Sequence, residues 1–196
     1  IAAHFLAISL GFPYAMAGSQ RDLMDEFIER NAAPCPLVEC TTAVANFLTW
    51  DEVGGHYAVL QSGVAGLLNI LDTNTNFHGS MLKNDLTRIF NTTIHPEFSI
   101  TGPYLRELCC QFAHSNNARR CAAFASFERH AEICISAFWQ GINTLSPLDK
   151  RDFKYFDIHI GDDDPAEFYH VQATERLVKK LGAHHPDEFL DAFETT

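Results

Sequence analysis

The chain has 196 residues, a formal net charge of −11 and an apolar content of 46%, with 16 phenylalanines. This length allows one domain with a substantial core. The negative charge argues against nucleic-acid binding, which needs a basic face, and against binding to an anionic membrane surface. No apolar run in the sequence reaches the length of a membrane span. We therefore expect a single domain over residues 1–196 that has neither nucleic acid nor membrane as a partner.

The cysteines indicate free thiols rather than a disulfide framework. The six cysteines show no Cys-x-x-Cys spacing, and an even count in a chain of this length does not imply disulfides. Their apolar neighbours predict buried thiols. No charged segment followed by an apolar signal region is visible in the sequence. On these grounds we expect a cytoplasmic protein.

Helical periodicity dominates the chain, and no stretch of the sequence shows sustained strand alternation. Residues 2–16 form the remainder of an apolar helix, which Pro13 is expected to kink. Asn116 or Asn117 is expected to cap one of the later helices. The helices after the first segment are predicted over residues 20–30, 36–53, 56–72, 79–90, 102–114, 116–143, 146–181 with a break at 162–165, and 186–193. The sequence therefore predicts an all-α domain of about seven to eight helices.

One short stretch near the C-terminal end combines imidazoles with carboxylates on one helical face. These candidate ligands are His159, Asp163, Glu167 and His170. Glu167 and His170 form a Glu-x-x-His element, which places a carboxylate and an imidazole on one metal in helical di-iron sites. The alternative is a solvated acidic turn at 162–164 that caps the next helix. That alternative fits Asp163 less well, because this residue is in phase with His159.

Two upstream elements add further candidate metal ligands. Glu52 and His56 are four residues apart and can share a helix face, although the glycine pair between them also suits a plain helix break. Glu128 lies on the apolar face of a predicted helix, where a carboxylate is costly unless it is paired or bound to metal. The alternative for Glu128 is a carboxylate at the rim of the core, paired with a Lys or Arg of a neighbouring helix.

The order of these elements resembles the haem-oxygenase-like di-iron oxidases, the iron-containing redox enzyme group that includes CADD-like proteins. The stretch Asp51-Glu52-Val53-Gly54-Gly55-His56 is similar to the first element of that family, with a shorter Glu-to-His spacing. Phe127-Glu128 is similar to the second element, a lone Glu after an aromatic residue. The interval from Glu128 to His159 is also similar, and the order of elements fits across nearly the whole chain.

The third family element, His-x-x-x-Asp-x-x-His, fits this sequence in two registers. His159 and Asp163 match its first two positions, but Ala166 stands where the family has its last His. In the other register, Glu167 and His170 form the acid-x-x-His half, with about one helical turn inserted after His159. Both registers keep His159, and His170 is favoured in either case. The choice between Asp163 and Glu167 stays open.

The resemblance implies an up-and-down helical bundle with a metal site between its helices. It also implies an O2-dependent, non-haem oxidase or oxygenase that acts on a small organic substrate. Its cofactor is Fe at two sites, and Mn shares these ligand preferences. An external reductant and a homodimer are compatible with this interpretation. The implied ligands are Glu52, His56 and His159 for one iron, and Glu128, Asp163 or Glu167, and His170 for the other.

Aromatic residues near these elements are candidates for a water-excluding substrate pocket. They are Phe47, Phe124, Phe127, Phe138, Trp139, Tyr155 and Phe156. An ordinary aromatic core is the alternative for most of them.

Three other functions fit parts of the pattern. One is a metal-free, thiaminase-like or cofactor-oxidase-like member of the same fold, which needs a nucleophilic Cys beside a carboxylate. Cys134 and Cys40 are the candidates for that nucleophile, and neither has an obvious base in sequence. The second is a haem binder with a single proximal His. The third is a non-enzymatic binding protein with its acids on a solvated face, for which Glu128 and His159 should point outward.

Overall fold

The chain is helical throughout the part that the structure describes. The computed structural model describes residues 1–161, 165–181 and 186–195, and the side chains of 165–167, 181 and 195 are not described. Within these ranges no β-strand occurs, which confirms the all-α prediction. None of the described helices is both long and apolar enough to cross a membrane. In chain order the helices are α1 (Ala2–Arg30), α2 (Pro36–Glu52), α3 (Gly55–Ser62), α4 (Thr73–Asn76), α5 (His78–Phe90), α6 (Phe98–Phe112), α7 (Asn117–Leu145), α8 (Lys154–Ile160), α9 (Pro165–Leu181) and α10 (Pro186–Thr195).

The described residues hold ten α-helices, more than the seven to eight predicted, and two segments differ from the prediction. The helix predicted over 56–72 ends as α3 at Ser62, where Gly63 has a φ of 61°, and continues as a 3-10 helix over Gly63–Asn69. The predicted loop at 74–78 instead contains the one-turn helix α4 and the first residue of α5. The left-handed backbone at Gly63 ends α3 earlier than the apolar pattern predicted.

The N-terminal residues form one helix, so the prediction of separate helices over 2–16 and 20–30 was wrong. α1 runs through Pro13 without a break, although proline removes one backbone hydrogen bond. Phe12 and Pro13 are both buried, and Leu6 and Met16 are fully buried on either side of them. Packing of this face against neighbouring helices therefore outweighs the helix-breaking tendency of proline.

Helix caps decided two other boundaries. Asn116 caps α7 as predicted, because its side chain accepts hydrogen bonds from the backbone N–H groups of Ala118 and Arg119. α6 begins at Phe98 rather than at the predicted Gly102, because the Glu97 carboxylate accepts a hydrogen bond from the Ser99 N–H at 2.8 Å. A side-chain cap thus started this helix one turn before the proline that the sequence pattern emphasised.

Two clusters of buried apolar side chains form the core. The first core cluster joins α1, α2, α6 and α7 through residues such as Met16, Leu48, Leu108 and Phe124. The second core cluster contains Leu6, Leu82, Leu86, Ile135, Trp139 and Phe156. α7 contributes to both clusters, and Glu128 falls between its two apolar stretches. A buried carboxylate therefore lies on the helix that links the two halves of the core.

A close backbone approach brings the end of α2 to the start of α5. Gly54 has a φ of +83°, and a Cβ built on it would lie 2.1 Å from the carbonyl oxygen of Asn76. Only glycine fits both the left-handed backbone and the short distance. As a result Glu52, two residues before Gly54, lies near His78, two residues after Asn76.

The cysteines are all free, but they are not generally buried as predicted. Cys121 is buried, whereas Cys35, Cys110 and Cys134 are exposed and the other two are half-buried. Apolar neighbours in sequence misled this prediction, because adjacent residues of a helix point about 100° apart.

Candidate metal centre

Three carboxylates and four imidazoles meet where the ends of several helices converge on the middle of α7. Asp51 and Glu52 are the last two residues of α2, and Glu128 comes from α7. The imidazoles come from α3, α5, α8 and α9, and they are His56, His78, His159 and His170. The seven residues divide into two groups, which we call the triad (Glu52, His78 and His159) and the Asp51 group (Asp51, His56, Glu128 and His170).

The triad brings one carboxylate and two imidazoles close enough to share a metal ion. Its donor atoms all lie within 4.8 Å of one another. His78 Nδ1 lies 3.5 Å from Glu52 Oε2, and the His78 and His159 rings meet edge to face with centroids 4.7 Å apart. His78 is only 1% exposed and His159 only 8%. The three residues come from helices α2, α5 and α8, so the tertiary fold creates this group.

A backbone contact sets the tautomer of His159. Its Nδ1 lies 2.8 Å from the carbonyl oxygen of Tyr155, one turn earlier in α8. Because a carbonyl only accepts, Nδ1 carries the proton and Nε2 keeps its lone pair. Burial, together with repulsion from His78, lowers the pKa of His159 to about 4 against the attraction of Glu52. At neutral pH the ring is therefore uncharged, which is the form that binds metals.

The Asp51 group surrounds His170 with carboxylates. Asp51 Oδ2 lies 3.0 Å from His170 Nε2, and Glu128 Oε2 lies 3.7 Å from His170 Nδ1. On the other side of Asp51, its Oδ1 lies 3.3 Å from His56 Nδ1. Phe47 packs against the His170 ring edge to face, with centroids 5.3 Å apart. Asp51, Glu128 and His170 are all buried, whereas the His56 side chain is 21% exposed.

The three carboxylates respond differently to burial. Burial raises the pKa of Glu128 to about 7, because the attraction of His170 only partly offsets burial and the repulsion of Glu52 and Asp51 adds to it. For Asp51, burial also acts to raise the pKa, but the neighbouring His170 and His78 outweigh it and the pKa lies below its usual value. Glu52 behaves in the same way through His78 and His159. Asp51 and Glu52 are therefore charged at neutral pH, whereas Glu128 is partly protonated at that pH.

The donor set fits a divalent transition metal. Two donors bound to one metal at about 2.1 Å lie at most about 4.2 Å apart. The triad donor atoms are at most 4.8 Å apart, so any two of them have to approach by at most about 0.6 Å to bind a common ion. Among the described residues, the ion-pair partners of the three carboxylates are imidazoles, and no Lys or Arg neutralises them. Buried carboxylates with imidazole neighbours and no basic side chain are typical of metal sites.

The structure brings together five of the residues proposed from the sequence and adds two others, Asp51 and His78. Glu52 and His159 belong to the triad, Glu128 and His170 belong to the Asp51 group, and His56 joins that second group through its contact with Asp51. The position assigned to His56 beside Glu52 is occupied by His78. His159 and His170 lie on separate helices, α8 and α9, so the single helical face predicted for them was wrong. Asp163 and the side chain of Glu167 lie outside the described residues.

An apolar cavity of about 120 Å³ is lined by members of both the triad and the Asp51 group. Glu52, Glu128, His159 and His170 all line it. The walls are apolar and come mainly from α1 and α7, through Phe5, Ile8, Phe12, Phe127, Ala131 and Ile135. Of the aromatic residues predicted to form a pocket, Phe127 and Tyr155 line this cavity, whereas Phe124, Trp139 and Phe156 pack in the core.

Tyr104, His130 and Cys134 also line the cavity, and all three are exposed. Cys134 and Glu128 therefore line the same cavity, although they are six residues apart on α7. Among the described residues that line the cavity, none is Lys or Arg.

Comparisons of the chain with protein-family models, with curated proteins and with solved structures found no match. The haem-oxygenase-like relationship therefore stays a prediction that rests on the sequence pattern.

Proposed function

We propose that this chain is a non-haem, iron-dependent oxidase or oxygenase that uses O2 on a small organic substrate. The observation that carries the proposal is the triad, in which two buried imidazoles and one carboxylate converge beside an apolar cavity. Two histidines and one carboxylate are the donor set of non-haem Fe(II) oxygenases, because it leaves coordination positions open. Bound iron would supply the chemistry with O2 and the one-electron steps that protein side chains cannot perform. Mn(II) shares these ligand preferences.

The Asp51 group supports a second metal beside the first. Asp51 and Glu52 are consecutive residues, so the end of α2 supplies a carboxylate to each group. Glu128 and His170 complete a set that is compatible with the di-iron resemblance. Three carboxylates also offset most of the charge of two divalent cations. Burial of the same carboxylates without metal is costly, which favours occupancy of both sites.

The protein's own side chains have three tasks in this proposal. The Tyr155 carbonyl holds the proton on His159 Nδ1, so the lone pair of Nε2 would be the one that binds a metal. Phe12 and Phe127 stack with centroids 4.1 Å apart and close one wall of the cavity against water. Glu128, with a pKa of about 7 in the absence of metal, lines the cavity and can hold a proton on its carboxyl there.

Anaerobic loading with Fe(II), followed by metal analysis after desalting, tests the proposal. We expect retention of about two iron ions per chain, and O2 consumption once a reductant is supplied. Glu52→Ala should lower the retained iron, because it removes a triad ligand. Glu132→Ala, an exposed acid four residues after Glu128, is the matched control and should retain iron like the wild type. A wild-type protein that retains neither Fe(II) nor Mn(II) would contradict the proposal.

The cavity supports a small, uncharged and largely apolar substrate. Its volume of about 120 Å³ is close to that of engineered protein cavities that bind benzene, about 150 Å³. Its apolar walls give a charged ligand no basic partner among the described lining residues. We therefore expect the substrate, or the part of it that reaches the metal, to have about six to eight non-hydrogen atoms.

Filling this cavity should block ligand entry without removing the metal. Ala131→Phe places a ring in the cavity wall, so aromatic probes such as phenol and toluene should no longer perturb the absorption spectrum of Co(II)-loaded protein. Metal retention should stay within about twofold of the wild type, because Ala131 is not a ligand. Ala137→Phe, exposed on the same helix and outside this cavity, is the control. Unchanged probe binding in Ala131→Phe would show that substrate does not use the cavity.

A metal-free, thiol-dependent activity is the second candidate, favoured by the shared cavity of Cys134 and Glu128. It requires the Cys134 thiolate to act as nucleophile with Glu128 holding the proton. The iron-loading experiment separates the two candidates. Two results together would favour the thiol: the protein retains no metal, and alkylation of Cys134 blocks binding of small molecules in the cavity. The same reagent should leave that binding unchanged in Cys134→Ser.

A further inference from the structure

α5 presents two buried polar side chains on one face, and only the first belongs to the triad. His78 begins the helix, and Asp85 follows seven residues later, about two helical turns along. Asp85 is 3% exposed. A buried carboxylate is costly unless it is hydrogen-bonded, so its contacts indicate what it does.

Asp85 caps a helix other than its own. Its Oδ2 accepts a hydrogen bond from the Tyr155 N–H at 2.7 Å, in the first turn of α8. The residue at the cap position of α8, Phe153, provides no side-chain hydrogen bond. The first N–H groups of a helix lack partners within the helix, and here the Asp85 carboxylate supplies an acceptor from α5.

The same segment holds the second imidazole of the triad. Tyr155 donates its N–H to Asp85, and its carbonyl accepts from His159 Nδ1 at 2.8 Å. The Tyr155 and His159 rings are also in contact, with centroids 4.0 Å apart and the planes tilted by 32°. A continuous chain of contacts therefore runs from Asp85 through Tyr155 to His159, while His78 is fixed to Asp85 by the helix that carries both.

We propose that Asp85 is a positioning residue that docks α8 on α5 and so sets the separation of His78 and His159 in the triad. This inference rests on the proposed metal-dependent function. α8 has seven residues and is too short to be a stable helix by itself, so its placement depends on tertiary contacts. Arg88 supports the preceding turn, where it donates to the Asp152 carbonyl at 2.6 Å, but this contact is exposed.

The energetic cost of Asp85 supports this role. Burial raises its pKa to about 6, against the N–H groups of Tyr155, Lys154 and Phe156 and the attraction of Arg88. An apolar side chain would avoid that cost, but it would leave the first N–H groups of α8 without an acceptor.

Asp85→Leu and Asp85→Asn test the inference as a pair. Leucine has a similar size and no acceptor, whereas asparagine keeps a carbonyl oxygen that can accept from Tyr155 N–H. We expect Asp85→Leu to weaken Co(II) binding by about 10- to 100-fold, the range typical of residues that orient metal ligands. Its Co(II) spectrum at saturating metal should also differ from wild type. Asp85→Asn should change the affinity by less than about threefold.

The control is Leu108→Ala, which opens a cavity in the first core cluster away from α5 and α8. It should keep the wild-type Co(II) affinity and spectrum. Equal losses of affinity in Leu108→Ala and Asp85→Leu would reduce Asp85 to a general stabilising residue and overturn the inference. If Asp85→Leu does not fold, Asp85→Ser removes the same contact by shortening the side chain.

Hydrogen exchange of the metal-free protein separates this inference from the proposed function. The Tyr155 amide should exchange faster in Asp85→Leu than in wild type, and at the wild-type rate in Asp85→Asn. Failure of the wild-type chain to bind metal overturns the proposed function. Wild-type metal binding combined with unchanged Co(II) affinity in Asp85→Leu overturns the role of Asp85 alone.

Discussion

Replacing His78 by alanine is expected to weaken metal binding more than replacing His56 by alanine. His78 is a member of the triad, is 1% exposed and lies 3.5 Å from Glu52. Loss of one of three ligands should exceed the roughly 10- to 100-fold loss of affinity typical of residues that only orient ligands. His56 contacts Asp51 at 3.3 Å and is 21% exposed, so its removal should stay within that lower range.

Competition between the protein and a chromophoric chelator for Co(II) or Fe(II), under anaerobic conditions, measures both affinities. His95→Ala, outside both ligand groups, is the control for loss of an imidazole. Far-UV circular dichroism should show the same helical content in all three variants. A larger loss in His56→Ala than in His78→Ala would restore His56 as the partner of Glu52 and exclude the triad as described.

The helical class and several boundaries of this fold could be predicted from sequence because their signals are local. The Asn116 cap and the Gly54 break both act within one turn of the chain. The boundaries that failed depend on distant residues. The break predicted between residues 16 and 20 is helical in α1, where Met16 and Ser19 are fully buried by packing that no sequence window around them reveals.

The candidate site followed the same rule. Glu128 was found because a carboxylate interrupts an apolar helix face, and it is buried beside His170. His78 was missed because it precedes the predicted helix at 79–90 and looks like a loop residue. One signal could have found it: His78, Leu82 and Asp85 recur at i, i+4 and i+7 on the buried face of α5.

Asp51 was passed over for a different reason. Only one residue of the Asp51-Glu52 pair was assigned to a helix face, because neighbours in a helix point about 100° apart. At the end of α2, that divergence lets Asp51 face His170 and Glu52 face His78. In a non-enzymatic binding protein with its acids on a solvated face, Glu128 and His159 should point outward. They are only 7% and 8% exposed, which favours the metal interpretation.

Glu128→Gln is expected to stabilise the metal-free protein and to destabilise the metal-loaded one. In the folded, metal-free chain the pKa of Glu128 is raised to about 7 by burial, from an ordinary value of 4.5. A carboxyl with a raised folded-state pKa lowers stability as pH increases through 4.5 to 7, and the full cost is present above pH 7. Removing the charge should therefore raise the unfolding free energy at pH 8 by at most about 3 kcal/mol.

The pH dependence distinguishes this effect from a simple packing change. The gain from Glu128→Gln should shrink below pH 7 and vanish below pH 4.5, where the wild-type carboxyl becomes protonated in both states. His159 has the opposite dependence, because its lowered pKa costs stability as pH falls from 6.5 toward 4, and it is common to both proteins. Urea unfolding of wild type and variant in parallel cancels that contribution.

Metal should reverse the order of stability. A ligand that binds only the folded state stabilises it in proportion to its affinity, and a glutamine amide is a weaker ligand than a carboxylate. With saturating Fe(II) or Co(II) under anaerobic conditions, wild type should therefore unfold at higher urea than Glu128→Gln. Glu132→Gln, on the exposed side of α7, should follow wild type in both conditions. The expectation fails if Glu128→Gln is less stable than wild type at pH 8 without metal. In that case the Glu128 carboxylate stabilises the folded chain, and its burial near His170 has no free-energy cost for metal binding to relieve.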